Sequence, residues 1–199
     1  MMRPVLAFLC VLLLPALPAR AQTAEAEHFV AQGIEEAFFI LRNTDLSTDG
    51  RAAQLERHLL RLTDMRRVAL FTLGPAAQTA TPAQRDAFVA AFRDYALATW
   101  RAQFMTFLGG SMTVTGARAN AADDILVHAS LTDGSGRAVM PVDFRVRTGG
   151  AGPVIVDIGL AGIWLAVVQR DDFAAFLARN QGDVAALTAN LEARVKALR

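Results

Sequence analysis

Asp143, Asp157 and the lone Tyr95 are the side chains best placed for acid–base work, because a cone-shaped sheet can bury a carboxylate and push its proton affinity up. The strand register argues against that use. Both aspartates fall on the face opposite the apolar residues of their strands, where water or a neighbouring helix is expected. His28, His58 and His128 are far apart and lack any HxH or HExxH spacing, so surface histidines are expected rather than a metal site. No G-x-S-x-G nucleophile elbow occurs, and Gly134-Ser135-Gly136 sits in a hairpin turn. The Gly149–Gly152 cluster precedes a strand, so it has no helix N-terminus to offer a phosphate. No catalytic constellation, no metal and no cofactor is expected.

The elements that carry these residues divide the chain in two. Val30, Ile34, Ala37, Phe38 and Leu41 form one helical stripe, Leu55, Leu59 and Leu62 a second, and Asp64 caps a third segment, Met65 to Leu73, that Gly74-Pro75 stops. Thr81-Pro82-Ala83-Gln84 is a capping box with proline at the first helical position. The helix it starts runs unbroken to Gly109-Gly110 and carries Phe88, Phe92, Tyr95, Trp100, Phe104 and Phe107, more rings than a flat helix–sheet interface requires. The ordinary role of each ring is to pack on a sheet.

After Gly110 the apolar period changes from 3.6 to 2. Met112 and Val114, then Ile125 to Leu131, then Met140 to Val146, alternate with polar residues, and turns are set by Asp133-Gly134-Ser135-Gly136 and Gly149 to Pro153. In the next stretch Val154, Val156, Ile158 and Leu160 point one way and Asp157 and Gly159 the other. Gly162 permits a tight bend, Ile163 to Val168 form a second short apolar run, and Arg170-Asp171-Asp172 opens a helix. A last helix carries Val184, Leu187, Leu191, Val195 and Leu198. The expected fold is α+β: a curved antiparallel sheet of about four to five strands on a helical layer with a long central helix, cone-like, with an apolar cavity.

Arg3, the apolar run Val5 to Leu17 and Ala19-Arg20-Ala21 read as a secretory signal over residues 1–21, leaving a single domain over 22–199. Cys10, the only cysteine, falls inside that segment, so the exported domain relies on its core rather than on disulfides. Without Arg3 and Arg20 the remainder carries 18 basic and 19 acidic residues, net −1, in no like-charged block. Nucleic acid is not an expected partner.

Several of these patterns occur together, in order, over nearly the whole of 22–199. Asp64 with Phe71-Thr72-Leu73-Gly74, Thr81-Pro82-Ala83-Gln84-Arg85 leading to Phe88, Phe92, Tyr95 and Trp100, then Val156-Asp157-Ile158, Gly162, Gln169-Arg170-Asp171-Asp172-Phe173, Gly182 and Leu187 resemble the MlaC family, also called the toluene-tolerance auxiliary family. The resemblance implies a periplasmic carrier that encloses phospholipid tails as cargo. It also implies two partners, an outer-membrane lipoprotein–porin complex and the lipid-binding subunit of an inner-membrane ABC transporter. Ala161 and Trp164 replace an acidic residue and a serine that are common around the family's signature glycine, so Trp164 is expected to shrink the pocket or alter the cargo. Gln169 to Phe173 look most like the branch found beside hopanoid genes.

By that resemblance Phe38, Phe88, Phe92, Tyr95, Val127, Leu131, Val142, Phe144, Val156, Ile158 and Trp164 are candidate tail contacts. Arg170 is expected to pair with a carboxylate or cap a helix. Three alternatives stay open: a hopanoid or sterol-type carrier, a cone-fold acid–base enzyme, and an interaction module with a vestigial pocket.

Overall fold

The computed structural model describes residues 17–104 and 109–198. Cys10, Phe107 and most of the expected secretory segment lie outside them. The order is α1 (Leu17–Arg42), α2 (Thr48–Leu62), α3 (Met65–Leu73), α4 (Ala76–Thr79), α5 (Pro82–Phe104), β1 (Ser111–Ala121), β2 (Asp124–Thr132), β3 (Ala138–Arg147), β4 (Val154–Leu160), β5 (Ile163–Trp164), α6 (Leu165–Arg179) and α7 (Val184–Ala197). The strands form one antiparallel meander in chain order, so the fold is α+β.

The helix starts follow local side-chain chemistry. Ser47 accepts the Gly50 N–H at 3.0 Å and Asp64 the Arg67 N–H at 3.0 Å. Thr81 and Gln84 close the capping box in both directions, at 2.9 and 3.2 Å. Asp183 accepts the N–H groups of Ala185 and Ala186 at the start of α7.

Two large apolar cores result, with a small third of Ile40, Leu41 and Leu55 where α1 meets α2. In the first, Ala26, Val30 and Ile34 of α1 lie on the inner face of the sheet against Ile125, Val127, Ala129, Val142, Phe144 and Val146. The second is purely helical: Phe88 and Phe92 of α5 meet Phe173 of α6 edge-on, with ring centroids 5.8 and 6.3 Å apart, and Leu187 and Leu191 of α7 close the cluster. The helix laid on the sheet is therefore α1. Phe88, Phe92 and Tyr95 of α5 pack against α3, α6 and α7 instead.

His58 departs from the surface position expected of the histidines. It is buried, and its Nε2 donates to the Gly33 carbonyl at 2.8 Å while Arg61 reaches Nδ1 at 3.2 Å, tying α2 to α1. Gly33 packs closely there: a Cβ would stand 2.8 Å from Leu62 Cδ1, so the leucine would have to shift to admit one.

The outer face of the sheet is held by ion pairs. Arg145 donates to both carboxylate oxygens of buried Asp124, at 3.0 and 2.6 Å, and Asn120 adds a bond at 2.9 Å. The Arg145 guanidinium holds the Asp124 carboxyl below its ordinary range. A lowered folded value adds stability above the unfolded pKa, which is lost as pH falls through the folded one. Arg145→Leu should therefore cost about 3 kcal/mol at neutral pH, at the low end for a broken buried pair because Arg145 keeps some contact with water. Urea unfolding should show that cost shrinking below about pH 4. A cost independent of pH would contradict this role.

Candidate lipid-binding site

The first core is hollow where α1 stands off the sheet, and a second space opens between that core and the helical one. The larger cavity, of about 410 Å³, lies between α1, the end of α2 and the inner face of the sheet. Val30, Ile34 and Phe38 wall it on one side, and Leu131, Val142, Phe144, Ile158 and Leu160 on the other. Among the described residues, no charged one lines it. A smaller cavity of about 190 Å³ adjoins it between α3, α5, β4 and the first turn of α6, with Phe92, Tyr95, Val156 and Ile158 among its walls.

Of the expected tail contacts, Phe38, Leu131, Val142, Phe144 and Ile158 thus face the larger cavity, and Phe92, Tyr95, Val156 and Ile158 the smaller. Phe88, Val127 and Trp164 line neither. Phe88 is sealed among the helical rings and Val127 beneath α1. Trp164 pairs with Gly159 across a two-residue turn, Ala161-Gly162, whose residues both have positive φ. Its ring lies against Gly159, where a Cβ would stand 3.4 Å from the indole, on the face opposite Ile158 and Leu160. The expectation that Trp164 narrows the pocket gives way to packing on the outer side of the sheet.

Val156 owes its place to a bulge. Phe144 pairs with Ile158 and Arg145 with Asp157, but Val146 pairs with Ile155, so Val156 is the extra residue. The simple alternation of β4 is broken there. Ile155, read from the sequence as outward, turns in beside Ile158 and Leu160.

Asp157 shows what the polar register of β4 does. Its Oδ1 accepts the N–H groups of Ile158 at 2.8 Å and of Ala166 at 2.9 Å. Ala166 lies in the first turn of α6, whose N-cap residue Trp164 supplies no side-chain bond, so a carboxylate from β4 caps the helix. That cap lets α6 begin at Leu165, ahead of the Arg170-Asp171-Asp172 start read from the sequence, and leaves β5 only two residues long. Burial raises the Asp157 carboxyl pKa despite these two bonds and the nearby Arg145.

A raised folded value means that stability is greatest below the unfolded pKa and is lost as pH rises through the folded one. Asp157→Asn keeps an oxygen for both N–H groups and removes the titration. Its unfolding midpoint should match the parent near pH 3.5 and exceed it at pH 7. Equal midpoints at both values would contradict the assignment.

The remaining polar candidates do not converge. Tyr95 shares the smaller cavity with Asp157, its ring beneath the Arg194 guanidinium at 5.9 Å, whereas Asp143 pairs with His128 at 2.6 Å on the outer face of the sheet. Arg170 makes neither the ion pair nor the helix cap expected of it: its guanidinium lies 5.2 Å over the Phe71 ring, beside Gly74 at the end of α3. Among the described residues no group of three His, Cys, Asp or Glu is arranged to hold a metal, and no helix is long and apolar enough to cross a membrane.

The family model described as "MlaC protein" matches residues 31–193, which include every wall residue of the two cavities except Val30. The chain belongs to the MlaC family. A solved structure, that of the phospholipid-binding protein from Ralstonia solanacearum in complex with a phospholipid, superposes with a TM-score of 0.77 at 22% identity, covering 87% of this chain and 98% of that one. At that identity the likeness establishes the fold. No curated protein matches the chain.

Among the wall residues absent from the expected tail contacts, which include Val30, Ile34, Ile155 and Leu160, Trp100 and Leu165 come from α5 and α6. Both line both cavities. Trp100 follows Phe92 and Ala96 at helical spacing on the cavity side of α5, so its signal was present in the period. Leu165 carried none, because its position depends on the distant cap from Asp157.

Proposed function

We propose that this MlaC-family chain is a periplasmic phospholipid carrier, cleaved from its secretory segment, that encloses acyl tails in the hollow between α1 and the sheet and in the smaller space beside it. The observation that carries this reading is the uncharged larger cavity, some 410 Å³ left unfilled in a domain with otherwise well-formed cores. Interiors are normally packed to the density of organic crystals, so an apolar space of this size calls for an apolar occupant. The phospholipid in the Ralstonia solanacearum neighbour supports the class of ligand.

The energetics demand enclosure. Each methylene gains about 0.8 kcal/mol on leaving water, so two tails of about 30 methylenes would cost on the order of 20 kcal/mol if carried bare. Release then needs an acceptor that offers an equally apolar path. An outer-membrane lipoprotein–porin complex and the lipid-binding subunit of an inner-membrane ABC transporter are the partners that fit such a path. The reading is non-enzymatic: Asp157 is engaged in capping α6, Asp143 is on the other face, and the larger cavity presents no acid or base.

Transfer of a self-quenching fluorescent phosphatidylethanolamine from donor to acceptor vesicles tests it. The protein at micromolar concentration should raise the rate at least tenfold without changing the mass of the lipid. No acceleration, or cleavage of the lipid, would overturn the carrier reading.

A further inference from the structure

The two cavities share five wall residues, Thr63, Trp100, Ile155, Ile158 and Leu165. Two of these are fixed by backbone: Thr63 and Ile155 form an isolated parallel bridge, and the Asp64 N–H donates to the Ile155 carbonyl at 3.3 Å. Ile158 is held in the β4 ladder opposite Phe144. The two remaining side chains come from helices of the other core, Trp100 from α5 and Leu165 from the first turn of α6. Trp100 is the larger, and it also walls a small cleft beside Leu55, Leu59 and Leu97, so its ring stands where three spaces meet.

Resting on the carrier reading, we infer that Trp100 is a specificity-determining residue that divides the binding space into two chambers, one for each tail of a two-tailed lipid. A pair of flexible chains can part around an indole, whereas a fused-ring lipid of similar mass needs one undivided space. The divider therefore selects diacyl lipids by shape and leaves the head group outside the choice. It also places the large flat face of an aromatic ring where each chain passes, a contact rich in dispersion energy.

Trp100 and Trp164 are the chain's two tryptophans, and Trp164 lines neither cavity, so Trp164→Phe leaves a single reporter at the divider. This variant is loaded with phosphatidylethanolamine brominated on the sn-1 tail alone or on the sn-2 tail alone, with loading verified by native mass spectrometry. Both lipids should quench Trp100 emission by at least half. Quenching by one and not the other, with both verified as bound, would overturn the divider and leave the carrier reading intact. Failure to load either lipid would overturn both.

A second measurement does not depend on fluorescence. Offered equal amounts of a diacyl phosphatidylethanolamine and a pentacyclic triterpenoid alcohol, the parent should carry the diacyl lipid, and Trp100→Ala should raise the bound share of the ring lipid at least fivefold. An unchanged share in a folded Trp100→Ala protein would also overturn the inference.

Discussion

Val142→Trp is expected to lower bound phospholipid at least tenfold while leaving the protein folded. Val142 is buried on β3 and its side chain faces the larger cavity, opposite Leu160 in the β3–β4 ladder. An indole at this position adds bulk that a packed core would resist, at about 1–3 kcal/mol. Here the void gives the ring a place to go, so the protein keeps its fold and loses its hold on the tail. Val139 lies on the same strand and is exposed, so Val139→Trp adds the same ring outside the cavity and should leave lipid content unchanged. The readout is the lipid-bound fraction in native mass spectra, with circular dichroism to report folding. A folded Val142→Trp protein carrying as much lipid as the parent would place the tails elsewhere.

Phe173→Ala is expected to give the largest loss of stability, about 3–5 kcal/mol in urea unfolding. The Phe173 ring is fully buried and meets two others edge-on, so its removal leaves a cavity and breaks both aromatic contacts. The effect should reach the lipid site as well. Phe173 anchors α6, and the first turn of that helix supplies Leu165 and Ala166 to the cavity walls. Bound lipid should therefore dissociate faster even where the protein remains folded. A stability loss below about 1 kcal/mol would mean that the helical core does not depend on this ring.

The parts of the fold that were legible in the sequence are those fixed by neighbours along the chain. The Thr81–Gln84 box, the Asp64 cap and the period-2 alternation of β2 each act within a few residues, and each stands where the pattern placed it. What was not legible depends on contacts between distant segments. The choice of α1 over α5 as the helix on the sheet is one, since both present apolar stripes and only the assembled α3, α6 and α7 decide between them. The early start of α6 is another, because its cap comes from Asp157 on β4.

The candidate site follows the same division. Phe38, Leu131, Val142 and Phe144 reach the larger cavity through unbroken helical or alternating patterns. Val156 and Ile155 depend on a bulge that shifts the register by one residue, which composition does not announce. Trp164 is conspicuous in sequence yet packs on the outer side of the sheet against Gly159. Arg170 settles over Phe71.

Native mass spectrometry of the protein, expressed from the full sequence and purified without added lipid, bears most directly on the hollow between α1 and the sheet. The predicted spectrum shows a folded chain carrying one diacyl phospholipid, which collisional activation releases intact at its own mass. A folded chain found only at its bare mass, and still bare after incubation with phosphatidylethanolamine vesicles, would contradict the carrier reading.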